Sequence, residues 1–299
     1  MAPTKFDPAK DMPDLTGKII LITGGTAGIG AATLTALASH NPAHLLFTGR
    51  NTTAAATVIS TITKIAPSTT TTFLPCDLSS LSAIHSTTAS LLSTLSHLDI
   101  LLCNAGVMAL PPSLSPDGYE IQFATNHLGH ALLIRRLLPS LLKSPAPRVI
   151  LVSSESFRGA PAEGICFDTL KTPQDMPLGR WRRYGQSKLA NLLYARELSR
   201  RVPGVLSFSI TPGVVNTGMV KGASLWEKAV VYLTAKVQSV EEGTGNLLWA
   251  VGCKAEDVEG GAFYEPVGVR SHKETKASRD EEVVRRLWEW TEGELERWM

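Results

Sequence analysis

The stretch Tyr184-Gly-Gln-Ser-Lys188 places a phenol and an amine four residues apart. If this stretch is helical, both side chains lie on one face, because a helix advances by about 100° per residue. A phenol ionises more easily beside an ammonium, since a nearby opposite charge favours the anion. The pair therefore suits a general acid or base that exchanges a proton near neutral pH. The alternative is that Tyr184 and Lys188 are ordinary residues on a solvated helix face.

Apolar runs and helical stretches alternate along the chain, which predicts the elements that must position these groups. We predict buried strands at about 18–23, 44–48, 71–75, 98–103, 148–152, 204–210 and 261–265. Between them we predict helices ending near Ser39 and covering about 54–65, 79–97, 119–142, 184–201 and 241–251. Strands that are apolar throughout indicate a parallel sheet covered on both faces. The expected fold class is α/β, a single-domain doubly wound parallel sheet of about seven strands (a Rossmann fold), with ligands at the carboxyl ends of the strands.

Bulk composition excludes several classes of function. The chain has 299 residues, of which 43% are hydrophobic and 19% charged, and its net charge of +2 gives no reason to expect nucleic acid or an anionic membrane surface as partner. There is no run of 18 apolar residues and no signal-peptide pattern at the N-terminus, so we expect no membrane span and a cytoplasmic location. The four cysteines are widely spaced and fit free thiols in a reducing compartment.

No metal site is expected. His127 and His130 are three residues apart, and His40 and His44 flank a loop that contains proline. Neither pair has carboxylates or thiols nearby that would complete a set of metal ligands.

A glycine-rich turn, Thr23-Gly-Gly-Thr-Ala-Gly-Ile-Gly30, follows the first predicted strand and precedes a helix. Glycines let the backbone turn tightly and approach a pyrophosphate, and the helix that follows offers unpaired N–H groups to the phosphates. The arrangement predicts a dinucleotide site.

Taken in order, the motifs of this chain resemble those of the short-chain dehydrogenase/reductases. They are the TGxxxGxG turn at 23–30, Asn104-Ala-Gly106, Asn126, Ser154, Tyr184xxxLys188 and Pro212-Gly213. The resemblance runs from about Leu15 to Glu265. The segments 123–130 and 184–191 are similar to the retinol-dehydrogenase-like branch of fungal-type NADP-dependent reductases.

The resemblance implies a role for each catalytic residue. Tyr184 would give a proton to the developing alkoxide or remove it in the oxidative direction. Lys188 would hold the nicotinamide ribose and favour the phenolate, and Ser154 would orient the substrate oxygen, with Ser153 as the rival for that role. Asn126 would hold a water that links Lys188 to solvent.

The end of the second strand, Leu46-Phe-Thr-Gly-Arg50-Asn51, bears on the choice of cofactor. NAD enzymes usually carry an Asp or Glu here, whereas Arg50 can bind a 2′-phosphate through two charge-assisted hydrogen bonds. We therefore expect NADP(H), the alternative being an arginine that only stacks on adenine. Asp77 either contacts the adenine ring or caps the next helix, and both roles are compatible.

Further cofactor contacts are implied by the resemblance. Asn104 is expected beside the adenosine ribose and to tie adjacent strands together, while Val215 and Thr217 would bind the nicotinamide carboxamide. The full expected set is Gly24, Thr26, Ala27, Gly28, Ile29, Gly30, Arg50, Asn51, Asp77, Leu78, Asn104, Ala105, Gly106, Tyr184, Lys188, Pro212, Gly213, Val215 and Thr217.

We divide the chain into a polar leader, 1–14, and one domain, 15–299, with three notable segments. The Pro- and Gly-rich insertion at about 155–182 should loop out of the core and either line a substrate pocket or form a neutral surface loop. Residues 214–238 form either a lid over an apolar substrate or a helix packed on the domain. The amphipathic C-terminal helix, about 280–298, should dock on the domain rather than bind a membrane or partner, with Trp290 outside its apolar stripe.

The function expected from these residues is an NADP(H)-dependent oxidoreductase that interconverts a carbonyl and an alcohol on a small, largely apolar substrate. Two alternatives are reduction of a conjugated carbon–carbon double bond and a non-catalytic, cofactor-sensing protein. A homodimer is possible, because the long helices at 119–142 and 184–201 form dimer faces in many relatives, although some members with insertions are monomers.

Overall fold

The computed structural model describes residues 6–175, 178–215 and 237–299, and its centre is one mostly parallel sheet. The strands of this sheet are β1 (Ile19–Ile22), β2 (His44–Gly49), β3 (Thr70–Pro75), β4 (Ile100–Cys103), β5 (Arg148–Val152), β6 (Leu206–Ile210), β9 (Phe263–Glu265) and β10 (Val269–Arg270). A separate parallel pair joins β7 (Val214–Val215) to β8 (Val237–Gln238).

The order of the strands in the main sheet is β10-β9-β6-β5-β4-β1-β2-β3. Among the described residues, seven of these strands run parallel, and β10 pairs antiparallel with β9 at the edge. The order reverses between β1 and β4, which opens a crevice at the carboxyl ends of these two strands. The predicted doubly wound sheet is confirmed, and the short antiparallel edge strand is an addition to it.

Helices cover both faces of the sheet. They are α1 (Pro8–Asp11), α2 (Gly28–Ala38), α3 (Thr52–Ile65), α4 (Leu81–Leu92), α5 (Ile121–Phe123), α6 (Gly129–Leu141), α7 (Gly179–Arg201), α8 (Val240–Gly252), α9 (Lys276–Arg279) and α10 (Glu281–Leu295). A π-helical turn, Ala124–Leu128, joins α5 to α6. Short 3₁₀ turns lie at Glu155–Gly159, Phe167–Thr169, Ala255–Asp257 and Glu296–Trp298.

The hydrophobic core has two halves, one on each side of the sheet. Leu21 and Leu101 belong to the half under α4, α6 and α7, whereas Ile20 and Ile22 belong to the half under α2, α3 and α8. Successive side chains of a strand point to opposite faces, so a strand buried on both sides must be apolar throughout. This explains why the strands do not alternate in sequence.

Three helices differ from their predicted bounds. The helix expected from position 184 begins at Gly179, after Leu178 in a left-handed conformation (φ 56°). The helix expected at 79–97 covers only Leu81–Leu92, and its start is set by the Ser80 side chain, which caps it. The helix expected at 119–142 starts at Ile121 and is interrupted by the π-helical turn.

The insertion does not loop out, and that prediction was wrong. Phe157, Ile165, Phe167 and Leu170 are buried in the core half that includes α7 and α10. Their apolar side chains give the segment its own hydrophobic contacts with the domain, so it extends the core rather than hanging from the surface.

The C-terminal helix α10 docks on the domain, as predicted. Val284, Leu287 and Leu295 are buried, and the Trp288 ring stacks on Tyr194 with centroids 4.9 Å apart. The prediction that Trp290 lies outside the packed surface was wrong, because its ring meets an aromatic cluster formed by Tyr119, Phe123 and Phe167.

The leader contributes to packing from residue 6 onward. Met12 is buried and lies against Gly252 at the end of α8. None of the helices described is both long enough and apolar enough to cross a bilayer. Most of the expected lid, 216–236, falls outside the described residues.

Candidate active site

The glycine-rich turn joins β1 to α2 at the crevice of the sheet. Gly24 has φ +71°, and a Cβ built on it would lie 3.0 Å from Ala105 Cα. A Cβ on Gly30 would lie 2.3 Å from the carbonyl oxygen of Gly24, a distance that no real side chain tolerates. The turn therefore closes tightly against the Asn104–Gly106 loop only because these positions carry no side chain.

Helix α2 starts directly at this turn. Its N-cap residue, Ala27, is extended and offers no side-chain hydrogen bond to the first turn of the helix. The free N–H groups and the positive end of the helix dipole are consequently directed toward any anion in the crevice.

A cavity of about 350 Å³ lies in front of this helix end, and most of the expected cofactor residues line it. Those that do are Gly24, Thr26, Ala27, Gly28, Ile29, Gly30, Arg50, Asp77, Leu78, Asn104, Ala105 and Gly106. Asn104 Nδ2 also donates to Thr23 O at 2.9 Å, which confirms that Asn104 ties the ends of β4 and β1 together.

Some expected cofactor residues do not line this cavity. Asn51 is the N-cap of α3, and its Oδ1 accepts from Ala54 N at 2.9 Å. Pro212 and Gly213 follow β6 in a separate loop, in which Gly213 has φ +82° and donates from its N–H to Thr211 Oγ1. Val215 lies in the short strand β7 after this loop. Thr217 lies outside the described residues.

Among the described residues that line the cavity, Arg50 is the cation. Its side chain is 72% exposed, and its Nη1 lies 3.9 Å from Asp77 Oδ2. Asp77 does not cap the next helix, so that alternative was wrong: Ser80 is the N-cap, and Asp77 Oδ1 instead accepts from Ser79 N and Ser79 Oγ. Arg50 is thus free to turn toward an anion beside the cavity.

Tyr184 and Lys188 share one face of α7, as their spacing predicts. The Lys188 Nζ atom lies 5.7 Å from the centroid of the Tyr184 ring and donates to Val152 O at 3.0 Å. Tyr184 and Lys188 do not line the cavity themselves, but Lys188 Nζ lies next to its wall, since a Cβ on Gly106 would be 3.5 Å from this nitrogen. The phenol, the amine and the lining of the cavity are therefore neighbours.

Burial shifts both groups away from their charged forms. Desolvation raises the pKa of Tyr184 to about 12, and a hydrogen bond with the Ser154 side chain opposes this shift. Desolvation also lowers the pKa of Lys188 to about 8. The pKa of Tyr184 is therefore not lowered in the protein alone, as its spacing from Lys188 had suggested, but raised by the loss of water around the phenolate.

The two serines that follow β5 differ in what they contact. Ser153 is buried, and its Oγ donates to Lys188 O at 2.7 Å. Ser154 is half-buried, and its Oγ donates to Ser156 Oγ and accepts from Ser156 N, both at 3.2 Å. This hydroxyl is also close enough to the phenol to lower the pKa of Tyr184, against the effect of burial. Ser154 therefore has the hydroxyl beside the phenol, while that of Ser153 is used to hold helix α7.

Asn126 lies in the π-helical turn, and both Nδ2 hydrogens and the Oδ1 of its amide make hydrogen bonds. Its Oδ1 accepts from Val107 N at 2.8 Å, and its Nδ2 donates to Val107 O and to Ser187 Oγ, both at 2.9 Å. The side chain thus links the loop beside the cavity to α7, next to Lys188.

Five residues of the cavity wall were not foreseen from the sequence: Thr48, Gly49, Cys76, Val107 and Thr125. Each is a neighbour in sequence of a residue that was predicted. Their position at the carboxyl end of a strand or close to Asn126 could have identified them as residues of the cavity wall.

Within the residues that the structure describes, no group of three potential metal ligands comes together. The paired histidines have other partners. His127 Nε2 contacts Thr291 Oγ1 at 2.9 Å, and the ring of His130 contacts Thr23 Oγ1 and Asn126 O.

Comparison with known proteins agrees with this geometry. A family model described as short chain dehydrogenase matches residues 18–167. The short-chain dehydrogenase/reductase drtF of Aspergillus calidoustus is 31% identical over 303 residues, which cover 95% of each chain. A short-chain dehydrogenase/reductase of Armillaria gallica is 33% identical and covers 95% of this chain and 92% of its own.

Solved structures show the same architecture. A protein from Mycobacterium paratuberculosis is 26% identical, with a TM-score of 0.75 over 96% of both chains. A structure from Shigella flexneri, described as a short chain dehydrogenase complexed with NADP, is 22% identical, with a TM-score of 0.65 over 84% of this chain and 98% of that one. From the motifs, the fold and these relatives together, the chain belongs to the short-chain dehydrogenase/reductase family of oxidoreductases.

Proposed function

We propose that the protein is an NADP(H)-dependent oxidoreductase that interconverts a carbonyl and an alcohol. One observation carries the proposal: the buried phenol of Tyr184 lies near the Ser154 hydroxyl and beside Lys188, whose amine lies next to Gly106 in the cavity wall. This arrangement supplies a proton donor, an orienting hydroxyl and a cation next to a site shaped for a dinucleotide.

The described residues fit NADP(H). The uncapped start of α2 and the close approach at Gly24 and Gly30 suit a pyrophosphate, and Arg50 suits a 2′-phosphate. No carboxylate follows β2 to accept from ribose hydroxyls, as NAD enzymes usually require. Pro212, Gly213, Val215 and Thr217 would flank the nicotinamide, as the family resemblance implies.

When bound, NADPH would supply the hydride that the carbonyl carbon receives in the reductive direction. Tyr184 donates its proton to the oxygen that becomes the alcohol. With a pKa near 12, the phenol is fully protonated at neutral pH and ready for this step. In the oxidative direction Tyr184 must first lose that proton, so burial favours reduction unless a positive charge nearby stabilises the phenolate.

The other residues orient and support Tyr184. Ser154 donates a hydrogen bond to the substrate oxygen. Lys188 binds the ribose and, when charged, stabilises the phenolate. Asn126 holds the Val107 loop against Ser187 and so keeps Lys188 in place; its link to solvent through a water stays a prediction.

The substrate is proposed to be small and largely apolar. This rests on the segment 218–236, which is rich in Ala, Val and Leu. A cytoplasmic location and a homodimer stay predictions.

The experiment is a panel of ketones, aldehydes and secondary alcohols assayed with NADPH or NADP⁺ at the nicotinamide absorbance band. Tyr184→Phe should lower kcat by about 10²–10⁴ while NADPH binds as before, since only the acid is removed. Tyr194→Phe is the matched control, because Tyr194 is a buried tyrosine on the same helix, away from Ser154, and its Oη lies 3.5 Å from Glu292 Oε1. Turnover by Tyr184→Phe equal to that of Tyr194→Phe would remove Tyr184 from the mechanism.

A further inference from the structure

His130 is a fully buried residue that the proposed mechanism does not use. It lies in the first turn of α6, directly after the π-helical turn that contains Asn126. Its Nε2 is 2.8 Å from Thr23 Oγ1, and its Nδ1 is 2.9 Å from the main-chain oxygen of Asn126. One imidazole thus spans the distance between the glycine-rich turn and the turn that carries Asn126.

The partners determine which nitrogen of His130 carries the proton. A carbonyl oxygen can only accept, so Nδ1 must donate to Asn126 O. Burial lowers the pKa of His130 to about 4, so the ring is neutral at physiological pH and Nε2 has a free lone pair. Nε2 therefore accepts from the hydroxyl of Thr23, and the Thr23 oxygen in turn accepts from Ala105 N at 2.9 Å.

Both ends of this chain of hydrogen bonds lead to the site. At one end, Thr23 begins the glycine-rich turn and is joined to the Asn104–Gly106 loop through Ala105 and Asn104. At the other end, the main chain at Asn126 carries the amide that bridges Val107 and Ser187. A shift of the His130 ring would therefore move residues in the wall of the cofactor cavity and residues next to Lys188.

We propose that His130 is a positioning residue whose two ring nitrogens hold the glycine-rich turn and the Asn126 turn in register. The Thr23 contact sets the shape of the cofactor cavity, and the Asn126 contact sets the position of the amide that supports Lys188. This inference rests on the proposed function only for its second half, because cofactor binding can be measured without any substrate.

The two contacts can be removed separately. In His130→Asn the side-chain amide lies near the former Nδ1, so the bond to Asn126 O is kept and the Thr23 contact is lost. In His130→Gln the amide reaches the former Nε2 position, so the Thr23 contact is kept and the bond to Asn126 O is lost. The dissociation constant of NADPH, kcat and the melting temperature are measured for each variant.

We expect His130→Asn to raise the Kd for NADPH by about tenfold, because the loss of one buried hydrogen bond weakens binding by about this factor. The kcat of this variant should stay near that of wild type. His130→Gln should lower kcat by about tenfold with Kd near wild type. Combining His130→Asn with Thr23→Val should give a Kd no weaker than that of Thr23→Val alone, since both remove the same contact.

His127→Gln is the matched control, because His127 is an equally buried histidine whose Nε2 contacts Thr291 on α10. It should lower the melting temperature and leave the Kd for NADPH unchanged. If both His130 variants change only the melting temperature, as a purely structural residue would, the inference is wrong. Failure of the proposed function would look different: the wild-type protein would bind NADPH but convert no carbonyl or alcohol, and the Kd of His130→Asn would still test the Thr23 contact.

Discussion

Replacing Lys188 by methionine should inactivate the protein and at the same time make its folded state more stable. Burial lowers the pKa of Lys188 from 10.5 to about 8. At about 1.4 kcal/mol for each pH unit, holding the buried ammonium costs about 3 kcal/mol at neutral pH. Methionine has a similar length and carries no charge, so this cost disappears in the variant.

Part of the gain is offset by the lost hydrogen bond from Lys188 Nζ to Val152 O. A hydrogen bond from a charged donor contributes about 1.5–3 kcal/mol. Here the loss should be at the low end, because Asn191 Nδ2 also donates to Val152 O, at 3.2 Å, and keeps this carbonyl paired. We therefore expect Lys188→Met to raise the free energy of unfolding by about 1–2 kcal/mol at pH 7.

The pH dependence provides a second signature. Since the folded pKa lies below the unfolded value, the unfolded chain binds one more proton between about pH 8 and pH 10.5. The free energy of unfolding contributed by Lys188 therefore rises with pH across this window. Urea unfolding of wild type and Lys188→Met, without nucleotide, should show an advantage of the variant that shrinks from pH 7 to pH 10.5. A variant that is less stable than wild type at pH 7, with a difference independent of pH, would refute the reasoning.

Two further substitutions test the cofactor preference and the docking of the C-terminal helix. Arg50→Ala should weaken NADPH by about 10- to 100-fold in a fluorescence titration and leave NADH nearly unchanged, since only NADPH carries a 2′-phosphate. Trp290→Ala should lower the free energy of unfolding by about 2–4 kcal/mol in urea, because the ring packs against Tyr119, Phe123 and Phe167.

Controls sharpen both tests. Arg50→Lys retains the charge and should lose less NADPH affinity than Arg50→Ala, and equal losses of NADPH and NADH would argue against a phosphate contact. Glu289, the exposed neighbour of Trp290, forms an ion pair with Arg285, and Glu289→Ala should stay within about 0.5 kcal/mol of wild type. If Trp290→Ala is as stable as Glu289→Ala, the aromatic cluster does not hold the helix.

The main sheet was predictable from the sequence because its inner strands are buried along most of their length, although the edge strand β3 is not. The runs Ile19–Ile22 and 149–152 contain no polar residue that would mark an exposed side. The strands β7, β8 and β10 are only two residues long and therefore show no periodicity. The start of α7 was missed because Arg180, Arg182 and Arg183 make that turn look solvated, although Arg183 is buried against Glu120.

The spacing of the motifs predicted the site residues correctly at positions where only one type of residue can do the chemistry. The glycines, Tyr184 and Lys188 fall where the spacing places them. Positions such as Thr48 and Thr125 line the cavity only because neighbouring strands and turns converge there, and no local pattern records that. The packing of Trp290 was not predicted because the sequence analysis assumed a single apolar stripe on α10. In the structure, the Trp290 ring lies outside that stripe but still packs against Phe123 and Phe167.

The position of α10 in the chain has a consequence for how the protein is made. The surface that this helix covers is formed by residues such as Tyr119, Phe123 and Tyr194. A ribosome completes all of them well before it reaches Glu281. During translation this aromatic surface is therefore exposed to solvent until α10 has been made. The newly made chain is most prone to aggregation in that interval.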